Sequence, residues 1–182
     1  MVIVKCKSHS GDWAVYRTDQ GAGNNLRLHS YAAVYSASTM WNSTASTADV
    51  FSIGTNSDVN TDDRTYLAYC FHSVDGYSKV GTYTGNADND GTFVYTGFRP
   101  AWVMCKRTTS NHDWDIHDTE RSTYNPMDKR LRANDNTADG TDGDIDFVSN
   151  GFKCRYSGAF NGSGDYIYLA FAETPFKYSN AR

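Results

Sequence analysis

The run Asp113-Trp114-Asp115-Ile116-His117-Asp118 is the part of this sequence best equipped for chemistry. In an extended strand alternate side chains share a face, which groups Asp113, Asp115 and His117. Two carboxylates and an imidazole in that arrangement can hold a divalent metal or act as an acid/base set. A second copy of the same stretch argues against it. Asp12-Trp13 stands 101 residues earlier, and there the matching face carries Asp12, Ala14 and Tyr16. The trio is therefore not built into the repeat, and an exposed polar strand face is the expected role. Serines and histidines are plentiful, but no Gly-x-Ser-x-Gly elbow occurs. No catalytic residue is assigned, and the chain is read as a non-enzyme.

Asn86-Ala87-Asp88-Asn89-Asp90-Gly91 has the front half of a calcium loop, with oxygen donors at Asn86, Asp88 and Asp90 and a turn glycine. The closing glutamate is replaced by Gly97. Asn, Asp and Gly are also what a tight turn needs, so calcium is the minor expectation and no cofactor is assigned. The segment from Asn134 to Asp146, with five aspartates, offers further oxygens. Four aromatics make the better binding candidates. Tyr31, Tyr35, Trp41 and Tyr124 lie in Ser/Thr/Asn-rich connections without a counterpart in the other copy. A large ring in a polar loop is the kind of anchor a binding surface uses, against sugar or protein.

These residues must be positioned by a duplicated framework. Val2, Ile3, Val4 and Lys5 fall on Val103, Met104, Cys105 and Lys106; Trp13, Val15 and Thr18 fall on Trp114, Ile116 and Thr119. The match resumes where Asp49–Ile53 faces Asn150–Cys154 and where Asn60–Tyr69 faces Asn161–Phe171 with one inserted residue. The period is domain-sized, well beyond that of a solenoid. Strands are expected at 2–7 and 13–17 as a hairpin, 25–30 with counterpart 130–133, 50–54, 65–72, 81–84, 92–98 and 167–172. In 66–71 and 167–172 both alternating faces are apolar, as in strands covered on two sides. Helical periodicity is absent, so short helices at most are expected. The fold class is all-β: an antiparallel, jelly-roll-like β-sandwich of two pseudo-symmetric repeats in one domain. Repeat one is 1–80, connecting strands occupy 81–100, and repeat two is 101–182. The two halves are expected to share one core, with Trp13 and Trp114 buried at equivalent places in it.

Composition agrees with a turn-rich β protein: 182 residues, 14% aromatic, 21% charged, thirteen tyrosines. A net charge of -4 without a basic cluster gives no footprint for nucleic acid. No run approaches the ~18 apolar residues of a membrane span, so membrane insertion is not expected. The four cysteines face non-cysteines in the other copy: Cys6 faces Arg107, Cys70 faces Ala172, Cys105 faces Val4 and Cys154 faces Ile53. A disulfide or zinc set older than the duplication would recur, so small buried thiols of a protein made in a reducing cytoplasm are expected.

Several strings carry a family resemblance. They are Lys5 to Tyr16 with its Asp-Trp, GTYTGN at 81–86, TFVYTGFRPAWV at 92–103 and AFAETPFKYSNAR at 170–182. They resemble a domain of bacteriophage virion proteins, found in tail-fibre-like and other structural polypeptides. The resemblance covers nearly the whole chain and implies a place in the virion rather than a mechanism. It implies a non-enzymatic virion surface component, either a host-binding fibre domain or a decoration of capsid or tail. Other virion proteins are the expected partners, in a homo-oligomer, with a host surface glycan or receptor as the ligand. A carbohydrate-binding module without a virion role is the alternative, and a glycan hydrolase the third. Members of the resembled family have a Gly-rich strand and a proline before the first Lys-containing strand, whereas Met1 stands at that point here. The expectation is a vacant sheet edge beside Val2–Lys7, filled by a neighbouring subunit or an upstream segment.

Overall fold

A computed structural model describes residues 1–174, which fall into two compact units, Met1–Phe71 and a second beginning at His72. The first is one antiparallel sheet. Its strands are β1 (Val2–Cys6), β2 (Trp13–Tyr16), β3 (Asn24–Arg27), β4 (Tyr35–Ser36) and β5 (Tyr66–Cys70), in the order β4-β3-β2-β1-β5. Val2, Val4, Ala14 and Tyr16 share one face of that sheet, and Met40, Trp41 and Val59 from the connecting loops close over it. Loops thus do the work of a second layer.

The second unit is a two-sheet sandwich. Its strands are β6 (Ser78–Gly85), β7 (Phe93–Tyr95), β8 (Pro100–Arg107), β9 (Trp114–Asp118), β10 (Leu131–Arg132), β11 (Ile145–Val148), β12 (Gly151–Cys154) and β13 (Gly164–Ala172). Five form the sheet β10-β9-β8-β13-β6 and three the sheet β11-β12-β7. Val103, Cys105, Tyr166 and Tyr168 of the larger sheet meet Val94, Phe147 and Phe152 of the smaller. All pairings are antiparallel, and the only helical segments among the described residues are two single 3-10 turns, Thr18–Gln20 and Ala159–Asn161. No helix among these residues is long and apolar enough to cross a membrane.

The hairpins of the two units have the same register. Val2↔Tyr16 through Lys5↔Trp13 corresponds to Val103↔His117 through Lys106↔Trp114. Further out the strings and the structure part by two residues. Val2 lies opposite Cys70 while Val103 lies opposite Ala170, so Cys70 corresponds to Ala170 and not to Ala172. A slip of two keeps every side chain on its face, and both alignments therefore look apolar in the same places.

Several sequence-based expectations are corrected. Residues 81–100 do not connect two repeats: β6 and β7 are strands of the second unit. Val50–Gly54 is a loop with Val50 and Ile53 exposed, although its counterpart is β12. β12 has β7 and β11 on its sides, with Ile145 and Phe147 pointing inward; the first unit offers polar Thr44–Thr47 where β11 would be. The edge beside Val2–Cys6 is not vacant, because β1 lies between β2 and β5. β5 is not central but an edge strand, largely exposed. Trp114 is fully buried, whereas Trp13 is only half-buried. Its row runs through Lys5 to exposed Leu67 and ends there; the row of Trp114 continues through Ile167 to Thr82 of β6. All four cysteines are free, but Cys70 is exposed. The matched string at 170–182 lies outside the described residues from Pro175 onward.

Candidate functional site

The strings that repeat turn out to be architectural. Lys5 Nζ donates to the carbonyls of Cys6 (3.0 Å) and Gly11 (3.1 Å), and Lys106 Nζ donates to those of Arg107 (2.8 Å) and His112 (2.7 Å). Each lysine ties off its own hairpin turn. Lys106 does so fully buried, and burial lowers its pKa to about 8. The Asp-Trp pair clamps the next strand. Asp12 pairs with Arg27 and, at 3.2 Å, with His29; Asp113 pairs with Arg132 at 3.0 Å and accepts from Asn134 Nδ2 at 2.8 Å. The amide of Trp13 donates to His29 Nδ1 and that of Trp114 to Asn134 Oδ1. A motif with this duty explains its recurrence without any reaction.

Asp115 and His117 do share a face of β9, but they point into the sandwich and are buried. Asp113, before the strand, is taken by Arg132 and Asn134. Asp115 Oδ1 lies 3.1 Å from Arg130 Nη1, and Arg130, itself buried, reaches Asp142 with Nη2 at 2.7 Å. Burial outweighs this guanidinium and pushes the Asp115 carboxyl up to about 7. His117 Nε2 is 3.0 Å from the Gly143 carbonyl, and its ring meets Phe160 edge-on. Burial lowers its pKa to about 4. The expected exposed polar face is thus a buried network that fastens a loop.

That loop, between β9 and β11, carries a candidate surface. Asp118 accepts the amides of Glu120 (3.1 Å) and Arg121 (2.9 Å) and pairs with the Arg121 guanidinium. Ser122 Oγ donates to Asp128 Oδ1 at 2.9 Å and accepts from the Lys129 amide at 3.0 Å. Asn125, before a cis peptide bond to Pro126, makes two 2.9 Å bonds with the backbone of Phe147. Buried Met127 exchanges backbone bonds with Ile145. A depression of about 590 Å³ results, lined by Arg121, Tyr124, Asn125, Pro126, Asp128 and Asp144 among others. Tyr124 stands on it with 85% of its surface exposed. Burial raises the pKa of Asp144, with Asp128 and Asp146 adding to the rise.

The other three aromatics behave differently. Trp41 is buried, not presented: its indole Nε1 donates to Asn25 Oδ1 at 3.2 Å and its ring packs on Tyr16 at 5.3 Å. A polar loop needs something to fasten it to the sheet, and here the large ring is that fastener. Tyr35 is half-buried; its hydroxyl accepts from Asn25 Nδ2 at 2.8 Å, and the Arg27 guanidinium lies 4.4 Å over its ring. Tyr31 is 59% exposed in the first unit. Arg121, Asp128 and Arg130 were not singled out by their types; Asp144 fell within the aspartate-rich segment Asn134–Asp146, and Tyr124 alone marked the rest of the region.

The calcium candidate resolves into a turn. Asn86 Oδ1 accepts the Asp88 amide and Asn161 Nδ2, Asp88 Oδ1 accepts the Asp90 amide, and Asp90 pairs with Lys153 at 2.5 Å. The Lys153 ammonium holds the Asp90 carboxyl below its usual range. These are the bonds a tight turn makes, and no group of three or more His, Cys, Asp or Glu side chains that could hold a metal occurs among the described residues.

Fold and surface define an antiparallel β protein whose repeated polar motifs brace strands and whose second unit presents a tyrosine on a braced loop. The chain belongs to the family described as a domain of unknown function, DUF7483, whose model matches residues 1–175. No curated protein and no solved structure matches it.

Proposed function

We propose that this chain is a non-enzymatic surface component of a bacteriophage virion, a host-binding fibre domain or a decoration of capsid or tail. The reading starts from the resemblance of several strings to a domain of phage virion proteins. The observation that carries it here is that Lys5 and Asp12 of the string Lys5 to Tyr16, and Lys106 and Asp113 at the matching places 101 residues on, are committed to holding strands together. Groups so engaged support a structural part better than an enzyme. Other virion proteins, further copies of the chain and a host glycan or receptor are the proposed partners.

A carbohydrate-binding module is the second reading, favoured by exposed Tyr124 above a depression whose lining is polar. A glycan hydrolase built there would need Asp128 and Asp144 as its acid pair. The discriminating experiment is gold labelling of purified virions with antibody to this chain, alongside attachment assays with Tyr124→Ala. Label on particles and weakened attachment with unchanged melting are expected. Particles devoid of label overturn the virion reading, and sugar cleavage that Asp144→Asn abolishes establishes the hydrolase.

A further inference from the structure

In the second unit β13 has a strand on each side: β8 on one and β6 on the other, the latter paired from Gly164↔Gly85 to Phe171↔Ser78. β5 corresponds to β13 and pairs with β1 as β13 pairs with β8. Its other edge has no strand among the described residues. The hydrogen bonding shows which groups that edge offers. Met1 and Phe71 exchange both backbone bonds, and the Lys7 amide donates to the Thr65 carbonyl. Residues 65, 67, 69 and 71 therefore face β1, and alternation turns the amides and carbonyls of Tyr66, Ala68 and Cys70 outward. In β13 the parity is the same: the Ala172 amide donates to Tyr77, so Tyr166, Tyr168 and Ala170 face β6.

Among the described residues no strand covers that edge, and its own side chains do not protect it. β5 reads Tyr-Leu-Ala-Tyr-Cys, with no lysine, proline or acidic residue, and Leu67 and Tyr69 are 41% and 42% exposed. Such an edge is a template for another strand. The side chains specify what fits. Opposite Tyr168 stands Gly81, and a Cβ there would lie 2.6 Å from the tyrosine ring. At the corresponding place β5 has exposed Ala68, so the space filled by a tyrosine in one unit is open in the other. The residue opposite Ala68 is then large, and its neighbours opposite Leu67 and Tyr69 are apolar or β-branched, as Thr82 and Val80 are opposite Ile167 and Leu169. A second copy joined edge to edge is a poorer occupant. Two five-residue strands span only ~17 Å, a contact short of the ~1,000 Å² a specific dimer interface requires, whereas a segment of a longer polypeptide can continue its contact beyond β5.

We infer that β5 receives an extended segment of another polypeptide, antiparallel to it in the register β6 has on β13, uncharged along Leu67–Tyr69 and with an aromatic residue opposite Ala68. This holds whether or not the virion reading does.

The test uses the full chain and two octapeptides, one with the sequence of Ser78–Gly85 and one carrying Gly81→Phe. The Gly81→Phe peptide should bind at least tenfold more tightly, and it should protect the amides of Tyr66, Ala68 and Cys70 from hydrogen exchange. Ala68→Pro removes the central outward donor without touching the ladder to β1 and should abolish both effects. Leu67→Lys, which places a charge on the edge without changing its backbone, should weaken binding at least tenfold even if the proline variant misfolds. Equal binding of the two peptides, no binding, or protection elsewhere overturns the inference. A concentration-dependent dimer that Leu67→Lys dissolves overturns it in favour of a second copy.

Discussion

Asp115 and His117 shift in opposite directions on folding, so each hides the other's effect on stability until one is removed. Near pH 5 the unfolded chain carries a proton on His117 and none on Asp115; the folded chain carries one on Asp115, held up at about 7, and none on His117, held down at about 4. Proton counts are equal, and the pair contributes almost no slope between pH about 4 and about 6.5. In His117→Gln the acid acts alone. Its folded pKa is above its unfolded value, so its favourable contribution is complete below pH about 4 and is lost as pH rises to about 7. A shift of roughly three units makes the loss about 4 kcal/mol. In Asp115→Asn the imidazole acts alone. Its folded pKa is below its unfolded value, so stability is complete above pH about 6.5 and about 3 kcal/mol is lost on descending to about 4. Urea unfolding across this range, taken as the difference between each variant and the parent, isolates the two slopes from other titrating groups. Opposite slopes are expected. Two variants that run parallel to the parent would mean that Arg130, 3.1 Å away, keeps Asp115 ionised throughout, and the argument that burial dominates would fail.

Trp41→Ala should cost about 3–5 kcal/mol by emptying the first unit's core, while Tyr124→Ala should move stability by less than about 0.5 kcal/mol; thermal melts compare them directly. Lys106→Met should cost about 2–3 kcal/mol because two carbonyls lose a fully buried donor, and Lys5→Met less than about 1 kcal/mol at its half-exposed turn; equal costs would contradict the burial difference. Thiol titration should count four free cysteines in denaturant, with Cys70 alone reacting quickly in the native protein.

The strands were legible because their pattern is local. Val2–Cys6 and Trp13–Tyr16 are β-branched or aromatic runs about a turn, and the matching string located β8 and β9 at once. What a strand lies beside is not local. Tyr66–Cys70 and Tyr166–Ala170 read alike, yet one is a bare edge and the other is interior, since only the second has β6 next to it. Val50–Gly54 failed as a strand for the same reason. The aromatic candidates divided on a property a sequence does not carry: Trp41 and Tyr124 sit in similar polar loops, but only Trp41 has a matched acceptor, Asn25, and an apolar face to fall onto. Arg130 was invisible because its partners, Asp115 and Asp142, come from separate segments.

The chemistry-bearing face of β9 then has an explanation in the comparison with β2. Ala14 and Tyr16 hold the places of Asp115 and His117. Tyr16 accepts the Ser46 amide at 3.1 Å and packs on Trp41, so it secures the long loop of the first unit through an aromatic plug. His117 meets the Gly143 carbonyl, and Asp115 holds Arg130, which holds Asp142, so the corresponding places secure the long loop of the second unit through buried polar groups. A plug brings its loop down onto the sheet and uses the ring to do it. A polar tether grips the far end of its loop by the backbone and a salt bridge, and the tip is left with no aromatic engaged. Tyr124 is free to face outward because residues on β9 hold the loop that carries it. The carboxylate and imidazole that look catalytic in the sequence thereby hold the loop on which Tyr124 is exposed.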